Sequence, residues 1–227
     1  GVAAVMAIAI ETRDCTALGD SDLAEMADLC AVSSNTYEVG SLSKQAEAWV
    51  LVTEARDNGK LRGFSFCTLE RIGGTPCVLI GAGHTCRTTR RDTVLRGIVT
   101  DQLRRAALSF PDEDVLVGMQ INDPGAFEAF KSLHDVVPRS GHKATGEERA
   151  WGRRLAKRFG IGSLSYEDRV FTTRGKGGPP VVLDHASLKP QQIQAETAEL
   201  LDGLVRDDGD TLIVHGWVMA EELEKLL

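Results

Sequence analysis

The sequence predicts an α/β fold built on one mixed sheet, and three observations carry that expectation. Two tight-turn signals, Asp57-Asn58-Gly59 and Gly73-Gly74, separate three β-branched, apolar segments into an antiparallel meander. The apolar period then becomes helical from Thr93 and returns to a strand pattern at Val115–Ile121, which makes a βαβ crossover. Beyond residue 136 both periods recur, so a C-terminal α/β extension follows, and helices are expected on both sheet faces.

Taken in order, Ile8 to Thr12 reads as a first strand, and the apolar run that opens the chain reads as part of it rather than as a signal peptide, because it lacks a basic start. Ser21 to Ala31 places Leu23, Met26, Ala27 and Cys30 on one helical face, with acidic residues in the first turn. A short helix is expected over Ser43–Ala48, then strands over Trp49–Ala55, Leu61–Leu69 and Cys77–Gly83. Leu95, Ile98, Val99, Leu103 and Ala106 share the face of the next helix, which Pro111-Asp112 ends. Pro124 opens a helix carrying Ala126, Phe127, Phe130 and Leu133. Glu147 to Phe159 is a basic amphipathic helix with Trp151, Leu155 and Phe159 on one side. Strands are expected over Arg169–Thr173, Val181–Asp184 and Thr211–Trp217, and helices over Pro190–Val205 and Val218–Leu227. Residues 1–135 form the core on this reading, and 136–227 continue the same domain or form a small lobe.

Composition narrows the function classes. The 227 residues are 42% apolar with a formal charge of −7, which argues against nucleic acid or an anionic membrane as the main partner. No apolar run approaches the roughly 18 residues that cross a bilayer. Five cysteines without a C-x-x-C pair suggest reduced thiols in a cytoplasmic protein. His134, His142, His185 and His215 lack metal-ligand spacing, so no metal is expected.

The chemistry-bearing centre is Cys86-Arg-Thr-Thr-Arg-Arg-Asp-Thr-Val-Leu95, a polar basic turn between a strand and a helix. Such a turn presents backbone N–H groups and a helix N-terminus to phosphate, and its arginines add bidentate contacts.

Over Ile8 to Leu133 the chain resembles the GNAT superfamily of acyl-CoA-dependent N-acyltransferases. Two segments carry the likeness: Arg90-Arg-Asp-Thr93-Val-Leu95, at the family's pyrophosphate turn, and Asp123-Pro-Gly-Ala126-Phe-Glu-Ala-Phe130-Lys-Ser-Leu133, at its later helix. The resemblance implies a GNAT-like mixed sheet, with acetyl-CoA or another acyl-CoA held by Gly83, Cys86, Thr88, Arg90, Arg91, Thr93, Val94, Asp123 and Phe130. It departs from the family where Thr93 and Leu95 replace the turn glycines and where Phe130 replaces the tyrosine that protonates the departing thiolate.

The activity implied is acyl transfer to an amine of a small molecule or peptide by direct attack in a ternary complex. Glu70 and His84 are the candidate bases, and Tyr166 is the substitute acid. The glycines of Gly81-Ala-Gly-His84 mark a bulge or splay where the cofactor's arm would lie. Two rival readings stay open. One is a non-catalytic GNAT-like protein that binds CoA or another ligand. The other is an interaction protein, a homo-oligomer for instance, with a collapsed cofactor site. The basic helix and the loop Arg174-Gly-Lys176 suit either an anionic partner or a solvated face.

Overall fold

The computed structural model describes residues 7–33 and 35–227; the opening run up to Met6 lies outside them. Strand β1 (Ile8–Asp14) is followed by α1 (Asp20–Cys30) and α2 (Val39–Ala48), then by β2 (Leu51–Asp57), β3 (Lys60–Ile72) and β4 (Thr75–Thr85). Helix α3 (Arg91–Ser109) crosses to β5 (Val115–Ile121). The C-terminal part supplies β6 (His134–Val137), α4 (Gly146–Arg158), β7 (Tyr166–Glu167), β8 (Thr172–Thr173), β9 (Leu183–Asp184), α5 (Ala195–Glu199), β10 (Thr211–Val218) and α6 (Ala220–Glu224).

The meander forms as its turn residues require. Asn58 and Gly59 both take positive φ, 52° and 81°, which matches the twist of a two-residue hairpin between β2 and β3. Gly73 and Gly74 make the second turn in the same way, and β3 pairs antiparallel with β4. Across the α3 crossover β5 joins β4 in parallel, Cys77 to Ile80 facing Leu116 to Met119. The sheet order is β1-β2-β3-β4-β5-β10-β8-β7, so strands from the C-terminal part extend the same sheet.

Strand alternation divides the core between two faces. Val78, Ile80, Val115, Val117, Met119, Leu212 and Val214 point to one side and pack with Leu95, Val99 and Leu103 of α3 and Leu223 of α6. Leu79, Leu116 and Ile213 point to the other, beneath Met26 of α1, Leu42 of α2, and Trp151 and Leu155 of α4. Helix α4 starts on a reciprocal cap: Thr145 accepts from the Glu148 amide, and Glu148 accepts from the Thr145 amide. Its arginines are paired in the fold. Arg158 is bidentate to Glu70, and Arg149 and Arg153 reach Asp168.

Four expected elements differ. Pro124–Phe130 is a 3-10 helix rather than an α-helix, tightened where Asp123 Oδ1 accepts from the Gly125 amide. Pro190–Val205 is not one helix but a 3-10 turn at Pro190–Gln192 followed by α5; in that stretch only Leu201 is buried, so no continuous apolar face holds a longer helix. The strands near 169–173 and 181–184 shrink to β8 and β9, while β6 and β7 were not expected.

Candidate active site

The strand pair that defines the site is the parallel one. Strand β4 stays beside β5 only as far as Ile80, and a bulge follows: between the pairs Cys67–Ile80 and Ser65–Gly83, β4 carries one residue more than β3. The two parallel strands therefore part at Gly81 and Ala82, as the glycines suggested. The cleft between them opens toward the first turn of α3, where Arg91 and Asp92 stand.

The cleft is filled by the chain itself. Strand β9 lies in it parallel to β4, Leu183 beside Gly83 and Asp184 beside His84. The Gly83 amide donates to the Val182 carbonyl at 3.1 Å. Absence of a side chain at Gly83 permits this approach, since a Cβ there would stand 2.7 Å from Leu183 Cδ1 and 2.9 Å from the Phe64 carbonyl. At Gly125 a Cβ would stand 2.5 Å from the His185 carbonyl and 2.6 Å from the Ser187 amide nitrogen.

Polar side chains from three parts of the chain, the loop after α1, the end of β4 and the start of α3, fasten this segment. His84 Nδ1 lies 2.8 Å from Asp184, whose carboxylate also accepts from Ser33. Burial alone would raise the Asp184 carboxyl, but the hydrogen bonds from His84 and Ser33 outweigh it and hold the group below the usual carboxylate range. Tyr37 donates its hydroxyl to the Val182 carbonyl at 2.7 Å and accepts from the Val182 amide at 3.0 Å. His185 joins Thr85 through Nδ1 and Asp92 through Nε2, and Arg91 donates to the Ala186 carbonyl. Burial, aided by the charge of Arg91, pushes His185 down to about 4, so its ring is neutral at pH 7. Just past the C-terminal end of β5, Asn122 and Asn35 exchange amide hydrogen bonds at 3.2 and 2.9 Å.

Of the expected cofactor-binding residues, Gly83, Arg91, Asp123 and Phe130 border the cleft or its mouth. Arg91 and Phe130, with Asp92, Gly125, Lys131 and Ser187, line a cavity of about 640 Å³ there. Asp123 caps the 3-10 turn and lies 3.4 Å from Arg206. Cys86, Thr88, Arg90 and Val94 line a separate pocket of about 190 Å³ on the β1 and β2 side. There Arg90 pairs with Asp57 at 2.9 Å, and Val94 is buried against Gly63. Thr93 lies on the exposed side of α3, accepting from Arg96.

The candidate catalytic groups are not brought together. His84 is inside the cleft, wholly buried beside Asp184. Glu70 faces Cys77, at the end of β4 away from the cleft, and is held by Arg158. Tyr166 sits on β7 at the sheet's far edge with its hydroxyl packed over Gly152, and burial raises its pKa above the usual phenol value. Ser33, Asn35, Tyr37, Asn122 and Asp184 were missed, since nothing in their local sequence marks them; long-range pairing alone assembles them.

The five cysteines are free and buried, and burial pushes the thiols of Cys30, Cys67 and Cys77 up to about 12, which keeps them protonated. Among the described residues no cluster of three metal-capable side chains occurs, and no helix is long and apolar enough to cross a membrane.

The pantetheine arm of an acyl-CoA does not fit the cleft as it stands, because residues 182–185 take up the backbone edge of β4 that the arm would follow. The mouth is different. Arg91 and Lys131 line a cavity there, with the carboxylates of Asp92 and Glu128 beside them, and the two cations are the groups that could hold phosphate.

No protein-family model matches the sequence, and no curated protein matches it. Solved structures overlap it in part. An aminoglycoside acetyltransferase from an uncultured soil metagenomic sample is 16% identical over 48% of this chain and 76% of its own, with a TM-score of 0.38. A ribosomal-protein-alanine N-acetyltransferase from Brucella melitensis biovar Abortus 2308 is 19% identical over 45% and 73%, with a TM-score of 0.36. The ribosomal-protein-S18-alanine N-acetyltransferase of Escherichia coli is 8% identical over 93% and 95%, with a TM-score of 0.44. The meander, the crossover through α3 and the parting of β4 from β5 are features of this chain's own sheet, a mixed α/β arrangement of parallel and antiparallel strands.

Proposed function

We propose that the chain is an acyl-CoA-binding protein of the N-acyltransferase type, acting on an amine of a small molecule or peptide. The observation that carries this reading is the parting of β4 from β5 at the first turn of α3, with Arg91 and Lys131 at the mouth. A parallel pair that splays beside a helix N-terminus offers an extended ligand a backbone edge at one end and phosphate donors at the other.

A second reading is favoured by one specific observation. The chain's own residues sit in the cleft, and Phe130 is buried in the core with no proton to give. A GNAT-fold protein that binds a ligand at the mouth without turning it over accommodates both facts.

Isothermal titration with CoA and acetyl-CoA, followed by thiol release over a panel of amines, separates the two. Binding with release supports the enzyme, binding without release favours the second reading, and no binding at millimolar cofactor removes both. Arg91→Ala, if it folds, weakens binding when the mouth holds phosphate; unchanged affinity removes that assignment.

A further inference from the structure

We propose that residues 181–187 form a displaceable strap that occupies the β4–β5 cleft, so that the segment and an acyl-CoA compete for the same backbone edge. The proposal rests on the cofactor reading above.

The strap is held as a bound ligand would be. Its Val182 carbonyl takes the Gly83 amide, the group that an extended arm carrying amides would also meet. Strand β9 pairs over only two residues, so few ladder bonds must break for it to leave. Most of its anchors are polar: Tyr37 on Val182, His84 and Ser33 on Asp184, Thr85 and Asp92 on His185, and Arg91 on Ala186. Once the strap is out, the Gly83 amide and the side chains of Thr85 and Arg91 are left lining the cleft for a new occupant.

The flanks suit such a movement. Before the strap, Gly177 and Gly178 take φ of 94° and 89° in a largely exposed loop that two prolines end. After it, residues 188–192 are exposed. Leu183 is the main apolar anchor, buried in the core beside α3, and its burial makes the closed form the resting one. A ligand that binds only the open form then shows an affinity reduced by the open fraction.

Tyr37→Phe weakens the closed form without touching the expected cofactor contacts, because it strips both hydroxyl bonds from Val182. With about one net hydrogen bond's worth lost on each side, CoA should bind the variant about tenfold more tightly than the native chain by isothermal titration. Amide exchange on the native full-length chain supplies a second readout that needs no variant. CoA should raise exchange at Val182–His185 and lower it at Arg91–Val94. Equal affinity for both proteins, with exchange of 181–187 unchanged when CoA is bound, overturns the strap and leaves the cofactor reading standing. If neither protein binds CoA at millimolar concentration, the cofactor reading itself falls and takes the strap with it.

Discussion

His84 Nδ1 lies 2.8 Å from the Asp184 carboxylate, and neither side chain is exposed although 100 residues separate them. A buried charge of this kind is tolerated only while its partner stays, and removing one partner of such a pair costs about 3–5 kcal/mol if the other remains buried. In this fold the carboxylate has an exit, because it belongs to a short segment whose flanks, residues 176–179 and 188–192, are exposed. His84→Ala should therefore abolish exchange protection at Val182–Asp184 while lowering the global unfolding free energy by less than about 3 kcal/mol in urea. A global loss as large as the full buried-charge cost, with 181–187 still protected, would show that the segment cannot leave alone.

Acid should destabilise the chain before its carboxylates titrate. Burial pushes His185 and His215 down to about 4, against about 6.5 for an exposed imidazole. His185 faces Arg91 and Asp92, and His215 has Glu148 near it. Between those values the unfolded chain binds the proton and the folded chain does not. Stability is thus complete above about pH 6.5 and falls as pH drops toward 4, by up to about 1.4 kcal/mol per pH unit for each ring. Urea titrations at pH 7, 6 and 5 check this, and His215→Gln should remove about half of the slope.

Gly125→Ala tests the closeness of the strap to the 3-10 turn. The added methyl would stand 2.5 Å from the His185 carbonyl, a backbone atom that yields only if the segment shifts. Overpacking of this kind costs about 1–3 kcal/mol. Exchange at His185–Ser187 should rise more than exchange at β5, as mass spectrometry of the two peptides would reveal.

Restoring a tyrosine at position 130 should not restore an acid. The Phe130 ring is 2% exposed and packed in the α3-side core, so a hydroxyl there must find a partner or bear a desolvation cost of about 1–3 kcal/mol. Phe130→Tyr is expected to lower the melting temperature and to leave thiol release from acetyl-CoA unchanged. Faster release with unchanged stability would place the ring nearer the reacting end of the cleft than its burial allows.

Local chemistry made the sheet legible and hid the site. Asn58-Gly59 and Gly73-Gly74 announced their turns because positive φ is written in residue type, and Val115–Ile121 emerged with the bounds its apolar run gives. The bulge at Gly81 was readable for another reason, since a glycine inside a strand marks a close approach, here of the Trp49 ring, to which an added Cβ would stand 2.3 Å. The cleft's contents were not. Val181–Asp184 reads as one more short strand, and only the fold's long-range register places it beside Gly83 and His84. Glu70 is expected near the cleft from the resemblance and Tyr166 from its chemistry alone; the ion pair to Arg158 and the packing over Gly152 assign them other surroundings.

The order of synthesis gives the strap another consequence. Residue 121 ends β5, and Asp184 lies 63 positions later (184 minus 121), so a nascent chain has both walls of the cleft well before it has the piece that closes it. At about 5–20 residues per second that interval lasts roughly 3–13 s. During it the exposed edge of β4 is open to any extended molecule nearby, whether a cofactor arm or an unfolded neighbour. Late arrival of its own strand therefore makes the newborn chain the form most open to loading and most exposed to mispairing.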